Sequence, residues 1–218
     1  VPYKIYGRDF QAENIRYTCS GMLFDVVIGD NIYPDLQIPL LGEHQAKNCA
    51  LALAVCMDVM ADLCRESDTL YIFSEPMCNQ ICRQLSAIHH PGRMELLSSD
   101  PFVLLDACIH SASCENVKDV LRHLGIQNCT VIVGIPEDKD YAGVVRSMKD
   151  VAARIILTRS GNPHYHFSQH QREVLMQEGI LTEWTDSVKQ ALNLANSFSD
   201  AIVILGTTSV ISETEQLF

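Results

Sequence analysis

The segment His89-His90-Pro91-Gly92-Arg93 and the run Pro101-Phe102-Val103-Leu104-Leu105-Asp106 hold the residues of this chain best suited to chemistry. A Pro-Gly turn aims Arg93, a short apolar strand follows, and Asp106 closes that strand. In an open α/β sheet, ligands bind outside the carboxyl ends of the strands, so Asp106 is predicted at a ligand-binding rim. A guanidinium forks onto phosphate or stacks on a base, and a carboxylate accepts from ribose hydroxyls. The pair suits a nucleotide better than an apolar ligand. Plainer roles are a surface ion pair for Arg93 and, for Asp106, the N-cap of a helix starting near residue 111.

The elements that must position these residues fall into two parts. Residues 15–20, 22–28 and 32–40 read as an antiparallel meander, with Gly29-Asp30-Asn31 as a turn. Apolar residues at helical spacing (Ala46, Ala50, Leu53, Ala54, Met57, Met60, Ala61) predict a largely buried helix over 43–63. A second helix is predicted over 75–88, with Ser74 as its N-cap and Pro76 in its first turn.

After Pro91, strands at 103–105, 130–135, 154–157 and 202–205 alternate with helices near 112–124, 141–152, 168–178 and 186–198. That rhythm implies right-handed crossovers and a parallel sheet, and the unbroken Val/Ile/Leu runs suit strands covered on both faces. The expected fold class is α/β, a mainly parallel Rossmann-like domain preceded by a β-meander and helices. A boundary is expected near residues 88–92. The first part is too small and one-sided to stand alone, and reads as the end of a larger α/β domain.

The balance of 16 basic and 27 acidic residues, a net charge of −11, argues against a nucleic-acid or anionic-membrane surface. No apolar run is long enough to span a bilayer, and Arg8, Asp9 and Glu13 interrupt any signal-like start. Nine cysteines scattered through apolar elements read as free thiols, which makes the cytoplasm the expected compartment. His164, His166 and His170 have metal-like spacing, but no nearby fourth ligand accompanies them, and an exposed loop explains them more simply. Cys78 and Cys82 share a helix face without a partner pair, so packing is expected there rather than zinc. Glu115, Lys118, Asp119 and Arg122 read as a solvated helix face.

Taken together, the motifs resemble the folylpolyglutamate synthase and dihydrofolate synthase enzymes of the Mur ligase superfamily. Gly42-Glu43-His44-Gln45-Ala46-Lys47-Asn48 is similar to the superfamily's Gly-x-His-x-x-x-Asn helix, and His90-Pro91-Gly92-Arg93 to the family's Trp-Pro-Gly-Arg. Asp138-Lys139-Asp140-Tyr141, the loop Thr158-Arg159-Ser160-Gly161-Asn162-Pro163, and Gly206-Thr207 with Glu213 follow in family order. The resemblance implies residues 1–90 as the C-terminal portion of a central ATPase domain and 91–218 as a Mur-ligase-type C-terminal domain. It implies an ATP- and Mg2+-dependent ligase that activates a folate or dihydropteroate carboxylate as an acyl phosphate for attack by L-glutamate, in a monomer. Asn48 would face the adenine, with a buried capping amide as its plainer role, and Arg93 and Asp106 would bind ATP.

Two departures stand out. The family's Asp-Gly-Ala-His-Asn-Pro appears as Asp106-Ala107-Cys108-Ile109-His110-Ser111, so either His110 takes the histidine's role through a one-residue shift or that contact is missing. No Gly-x-x-x-x-Gly-Lys-[Ser/Thr] phosphate loop occurs. The chain is therefore expected to be a C-terminal fragment, inactive alone, with the phosphate loop and metal ligands supplied from a preceding region. The alternative is a non-catalytic binding or assembly module that keeps the ligase fold.

Overall fold

A computed structural model describes residues 3–18, 20–66 and 75–218, which divide into two compact units, 1–89 and 90–218. In the first, β1 (Phe10–Thr18), β2 (Gly21–Ile28) and β3 (Asn31–Ile38) form an antiparallel meander in the order β1-β2-β3. Two register shifts interrupt it, between Glu13 and Arg16 and between Phe24 and Val26. Asn14 and Asp35, both at positive φ, stand at these irregularities, and Asp25 joins them. Its carboxylate accepts from Asn14 Nδ2 at 2.6 Å and from the Asp35 amide at 2.9 Å. Those donors, Asn14 foremost, hold the Asp25 carboxyl below its ordinary range. Pro34, within β3, has no amide hydrogen to give to the sheet.

The helix α1 (Glu43–Glu66) packs against β1 and β2, and α2 (Glu75–Ser86) against β3. Met22, Phe24, Val26, Leu36 and Ile38 on the sheet, with Ala46, Ala50, Leu53 and Ala54 on α1, are buried. The apolar spacing predicts a largely buried helix, but the helix is exposed along one apolar face. Leu51, Val55, Val59 and Leu63 recur every four residues along one face, each at least half exposed. The sequence carries apolar residues all round the helix, but among the described residues the helix packs on the sheet with one side, through Ala46, Ala50, Leu53 and Ala54. Ser74, expected as the second helix's N-cap, and Cys78 lie outside the described residues and side chains.

The second unit is an α/β domain with a six-stranded sheet: β4 (Glu95–Ser99), β5 (Phe102–Asp106), β6 (Cys129–Gly134), β7 (Ala152–Thr158), β8 (Glu183–Thr185) and β9 (Ala201–Gly206). Their spatial order is β4-β5-β9-β6-β7-β8, and every pair is parallel except β4–β5. The helices are α3 (Cys114–His123), α4 (Tyr141–Met148), α5 (His170–Gln177), α6 (Val188–Asn196) and α7 (Thr208–Glu215). The mainly parallel sheet is the one the alternating rhythm implies. The salt bridges Lys118–Glu115 and Arg122–Asp119 line the outer face of α3.

One face of the sheet buries Val103, Leu105, Ile132, Ile156, Ile202 and Ile204 against Val188, Ala191, Leu192 and Ala195 of α6 and Val210 and Ile211 of α7. The alternate side chains, including Leu104, Val131, Val133 and Val203, are buried on the other face, as period-two alternation requires. Strand β9 sits between β5 and β6. The helices that follow β5 and β6, α3 and α4, pack on each other, whereas the helix after β9 packs on α6. Neighbouring strands thus send their chains to opposite faces, which opens a crevice at the carboxyl ends of β5, β9 and β6. Gly206 is required there: a Cβ would lie 2.7 Å from the Gly134 carbonyl oxygen and 3.0 Å from Val210 Cβ. Among the described residues, no helix is long and apolar enough to cross a membrane.

Candidate functional site

The turn that carries Arg93 is closed by the Arg93 amide donating to the His90 carbonyl at 3.2 Å. Gly92 has φ +62°, and a Cβ there would meet Ile211 Cγ2 at 2.7 Å, so the position is glycine on both counts. Two bonds fasten the turn to the end of β5. The Met94 amide donates to Asp106 Oδ2 at 2.9 Å, and the Ala107 amide donates to the Gly92 carbonyl at 2.8 Å. Glu95 Oε2 also accepts from the Gly92 amide at 2.8 Å. The geometry therefore fixes Arg93 beside the carboxyl end of β5.

Asp106 is 8% exposed, and burial pushes its carboxyl up to about 6 against the opposing pull of the Met94 amide, the Arg93 charge and the Cys108 amide. It does not cap the following helix. Arg93 is half-buried, and its Nη1 reaches the Gly92 carbonyl at 3.5 Å. Among the described residues Arg93 makes no ion pair within 4 Å, so the plainer surface-pair role is not the one seen. Its fork keeps donors for a ligand.

His110 is exposed, at the apex of the segment joining β5 to α3, while Ile109 is half-buried. The segment is tied down from across the rim, where the Ser111 amide donates to Asp140 Oδ2 at 2.9 Å. The other oxygen of Asp140 caps α4, accepting from the Gly143 amide at 3.1 Å. These bonds, the Ser111 amide first, hold the Asp140 carboxyl below its ordinary range. The sequence shows Asp140 only within the family-like Asp138-Lys139-Asp140-Tyr141 segment, and nothing local reveals its bond to Ser111.

At the carboxyl ends of β7 and β8 lies a cavity of about 460 Å³, lined in part by Arg159, Ser160, Asn162, Asp186 and Glu213. The loop that follows β7 is pinned to α7, with Asn162 Nδ2 donating to Ser209 Oγ at 2.8 Å and the Gly161 amide to Glu213 Oε1 at 2.7 Å. Arg159 Nε donates to the Asp186 carbonyl at 3.1 Å. Ser160 is buried, and among the described residues its hydroxyl has no partner. The cavity is walled by the Arg159 guanidinium, which lies 3.5 Å from Asp186 Oδ1, and by the Glu213 carboxylate, groups suited to a small polar ligand. Neither Arg93 nor Asp106 lines it.

Asn48 belongs to the first unit. Its side chain is exposed on α1 and donates from Nδ2 to Gln45 Oε1 at 3.2 Å, so it is not the buried capping amide of the plainer reading. One turn earlier, His44 is half-buried, and burial followed by the Lys47 charge holds its imidazole below the ordinary range.

Residues 92–208, more than half of the chain, match the family model described as Mur ligase, glutamate ligase domain. The chain is 25% identical over 216 residues to the folylpolyglutamate synthase of Lacticaseibacillus casei, covering 97% of this chain and 47% of that protein. It is 28% identical over 134 residues to the dihydrofolate synthase/folylpolyglutamate synthase of Mycobacterium tuberculosis, covering 61% and 26%. Among solved structures, the fold resembles Mycobacterium tuberculosis folylpolyglutamate synthase complexed with ADP, with a TM-score of 0.77 and 20% identity, over 97% of this chain and 48% of that one. The chain thus spans about half the length, or less, of the proteins it matches.

Proposed function

The chain belongs to the Mur ligase family through its glutamate ligase domain, and from that premise we propose that it is the C-terminal part of an ATP-dependent ligase joining L-glutamate to folate or dihydropteroate. Residues 1–90 then complete a central ATPase domain, and 91–218 form the glutamate ligase domain. The exposed stripe on α1 supports the first assignment, because an apolar face of that length belongs against further structure.

The observation that carries the reading is the clamp from Met94 to Asp106, which holds Arg93 at the rim with donors to spare. Those residues fit a nucleotide: Arg93 would take phosphate or stack on a base, and Asp106 would hold the turn and accept from ribose. Asn48, an exposed amide, suits a base edge. ATP, when bound, supplies the phosphoryl group that activates the carboxylate, with Mg2+ held by residues of a preceding region. The cavity beside β7 would orient the incoming amino acid. Its Arg159 suits a carboxylate, and the Glu213 oxygen not bonded to Gly161 suits the ammonium. His110, held over the rim by the Ser111–Asp140 bond, is the candidate for the remaining polar contact.

The second reading, a non-catalytic module that retains the ligase fold, is favoured by Ile109 standing half-buried in place of the family histidine. Titration with ADP tests the first. Wild type is expected to bind, and Arg93→Ala to bind about tenfold more weakly, the effect of one charge-assisted contact. Equal affinities would remove Arg93 from the nucleotide site. The 218 residues alone are expected to show no folate-dependent phosphate release, and release from them would refute their being a fragment of the active unit.

A further inference from the structure

The segment that carries His110 is bracketed by two cysteines. Cys108 follows β5 and Cys114 opens α3, and their sulfurs lie 3.7 Å apart, both buried. Both thiols also point toward the His110 carbonyl, Cys108 Sγ at 3.3 Å and Cys114 Sγ at 3.9 Å. A disulfide requires about 2.05 Å between sulfurs, so the two must close by roughly 1.7 Å. A short segment without regular strand or helix separates them, and its three-residue 3-10 turn (Ser111–Ser113) makes that adjustment local. We propose that Cys108 and Cys114 form a reversible disulfide under hydrogen peroxide and so act as a redox lock on the segment at residues 107–113.

The surroundings distinguish the two sulfurs. The hydrogen bond from Cys108, then the Ser147 hydroxyl and the Lys118 charge, hold the Cys114 thiol below its ordinary range against burial and Asp140. The hydrogen bond to Cys114, burial and the charge of Asp106 push the Cys108 thiol up. Both sulfurs are buried, so peroxide reaches them when the short segment opens, and these surroundings make Cys114 the better attacking thiolate. Its sulfur bonds to one peroxide oxygen as the O–O bond breaks, and the departing hydroxide takes a proton to become water. The sulfenic acid left on Cys114 is then attacked by the Cys108 sulfur. The S–S bond forms, the S–O bond breaks, and the hydroxide leaves as water with the Cys108 proton. In sum, two thiols are oxidised, one hydrogen peroxide is reduced and two waters form. The bond draws Cys108 Sγ from the His110 carbonyl and tightens the chain between the Asp106 clamp and the Ser111–Asp140 tie. The proposal rests on this thiol geometry and holds whatever ligand the rim takes.

The sequence makes the test direct. Trypsin leaves residues 94–118 as one peptide, in which Cys108 and Cys114 are the cysteines. Reduced native protein is treated with hydrogen peroxide, its free thiols are blocked with iodoacetamide, and the digest is read by mass spectrometry. The expected peptide is lighter by two hydrogens, carries no alkyl group, and returns to the doubly alkylated mass after dithiothreitol. Cys108→Ser is expected to leave a dimedone-trapped sulfenic acid on Cys114. Three results would overturn the proposal: a peptide that stays doubly alkylated while exposed Cys56 oxidises, irreversible sulfinic acid on wild-type Cys114, or a disulfide from either residue to another cysteine.

Discussion

At the scale of single residues, Asp106 makes the clearest prediction. Its folded-state carboxyl is raised to about 6, so the folded chain binds a proton between roughly pH 4 and 6 that the unfolded chain has released. The associated stability is present below about pH 4 and lost as pH rises through about 6. Asp106→Asn keeps an acceptor for the Met94 amide but does not titrate. Relative to wild type, it is expected to gain up to about 3 kcal/mol between pH 4 and 7.5, read from urea midpoints. Parallel curves would show that the carboxyl is not perturbed. Asp140→Ala removes the cap of α4 and the tie to Ser111 together, and is expected to lower stability by about 1–2 kcal/mol in the same assay. Residue types were legible where a turn announces them, as at Pro91-Gly92-Arg93. The bonding of Asp106 to Met94 was not, because it depends on two segments meeting after the chain has folded.

At the scale of elements, close packing decides. A Cβ at residue 206 collides with the Gly134 backbone and with Val210, so Gly206→Ala is expected to displace α7 and cost about 1–3 kcal/mol, measured by thermal unfolding. A companion loss of ligand binding in the cavity is expected, since Glu213 and Ser209 anchor its loop from that helix. The buried strands β5, β6, β7 and β9 were legible as unbroken Val/Ile/Leu runs. The sequence did not reveal β4, β8 or α7. A three-residue strand such as Glu183–Thr185 has no periodicity to read, and its place comes from pairing with β7. Thr208–Glu215 has weak helix formers at its start, and its helix is selected by Val210 and Ile211 packing into the core.

At the scale of the molecule, the two units differ in how completely they cover their own apolar surface. The second buries both faces of its sheet. The first leaves Leu51, Val55, Val59 and Leu63 in water. Val55→Asp is therefore expected to change the unfolding free energy by no more than about 0.5 kcal/mol while reducing concentration-dependent association in sedimentation experiments. A large loss of stability would mean that this face is already covered within the chain.

The outer side of the small meander has the opposite character. A strand paired on one side is a template onto which a second chain can zip, backbone to backbone. Pro34 deprives β3 of a donor in mid-strand, and the left-handed kink at Asp35, pinned through Asp25, bends the next position out of line. With the bulge at Asn14 breaking the β1 edge as well, copies of this chain crowded together through their greasy helix face would thus find no continuous ladder to extend, and the clusters they form should dissolve on dilution instead of maturing into fibrils.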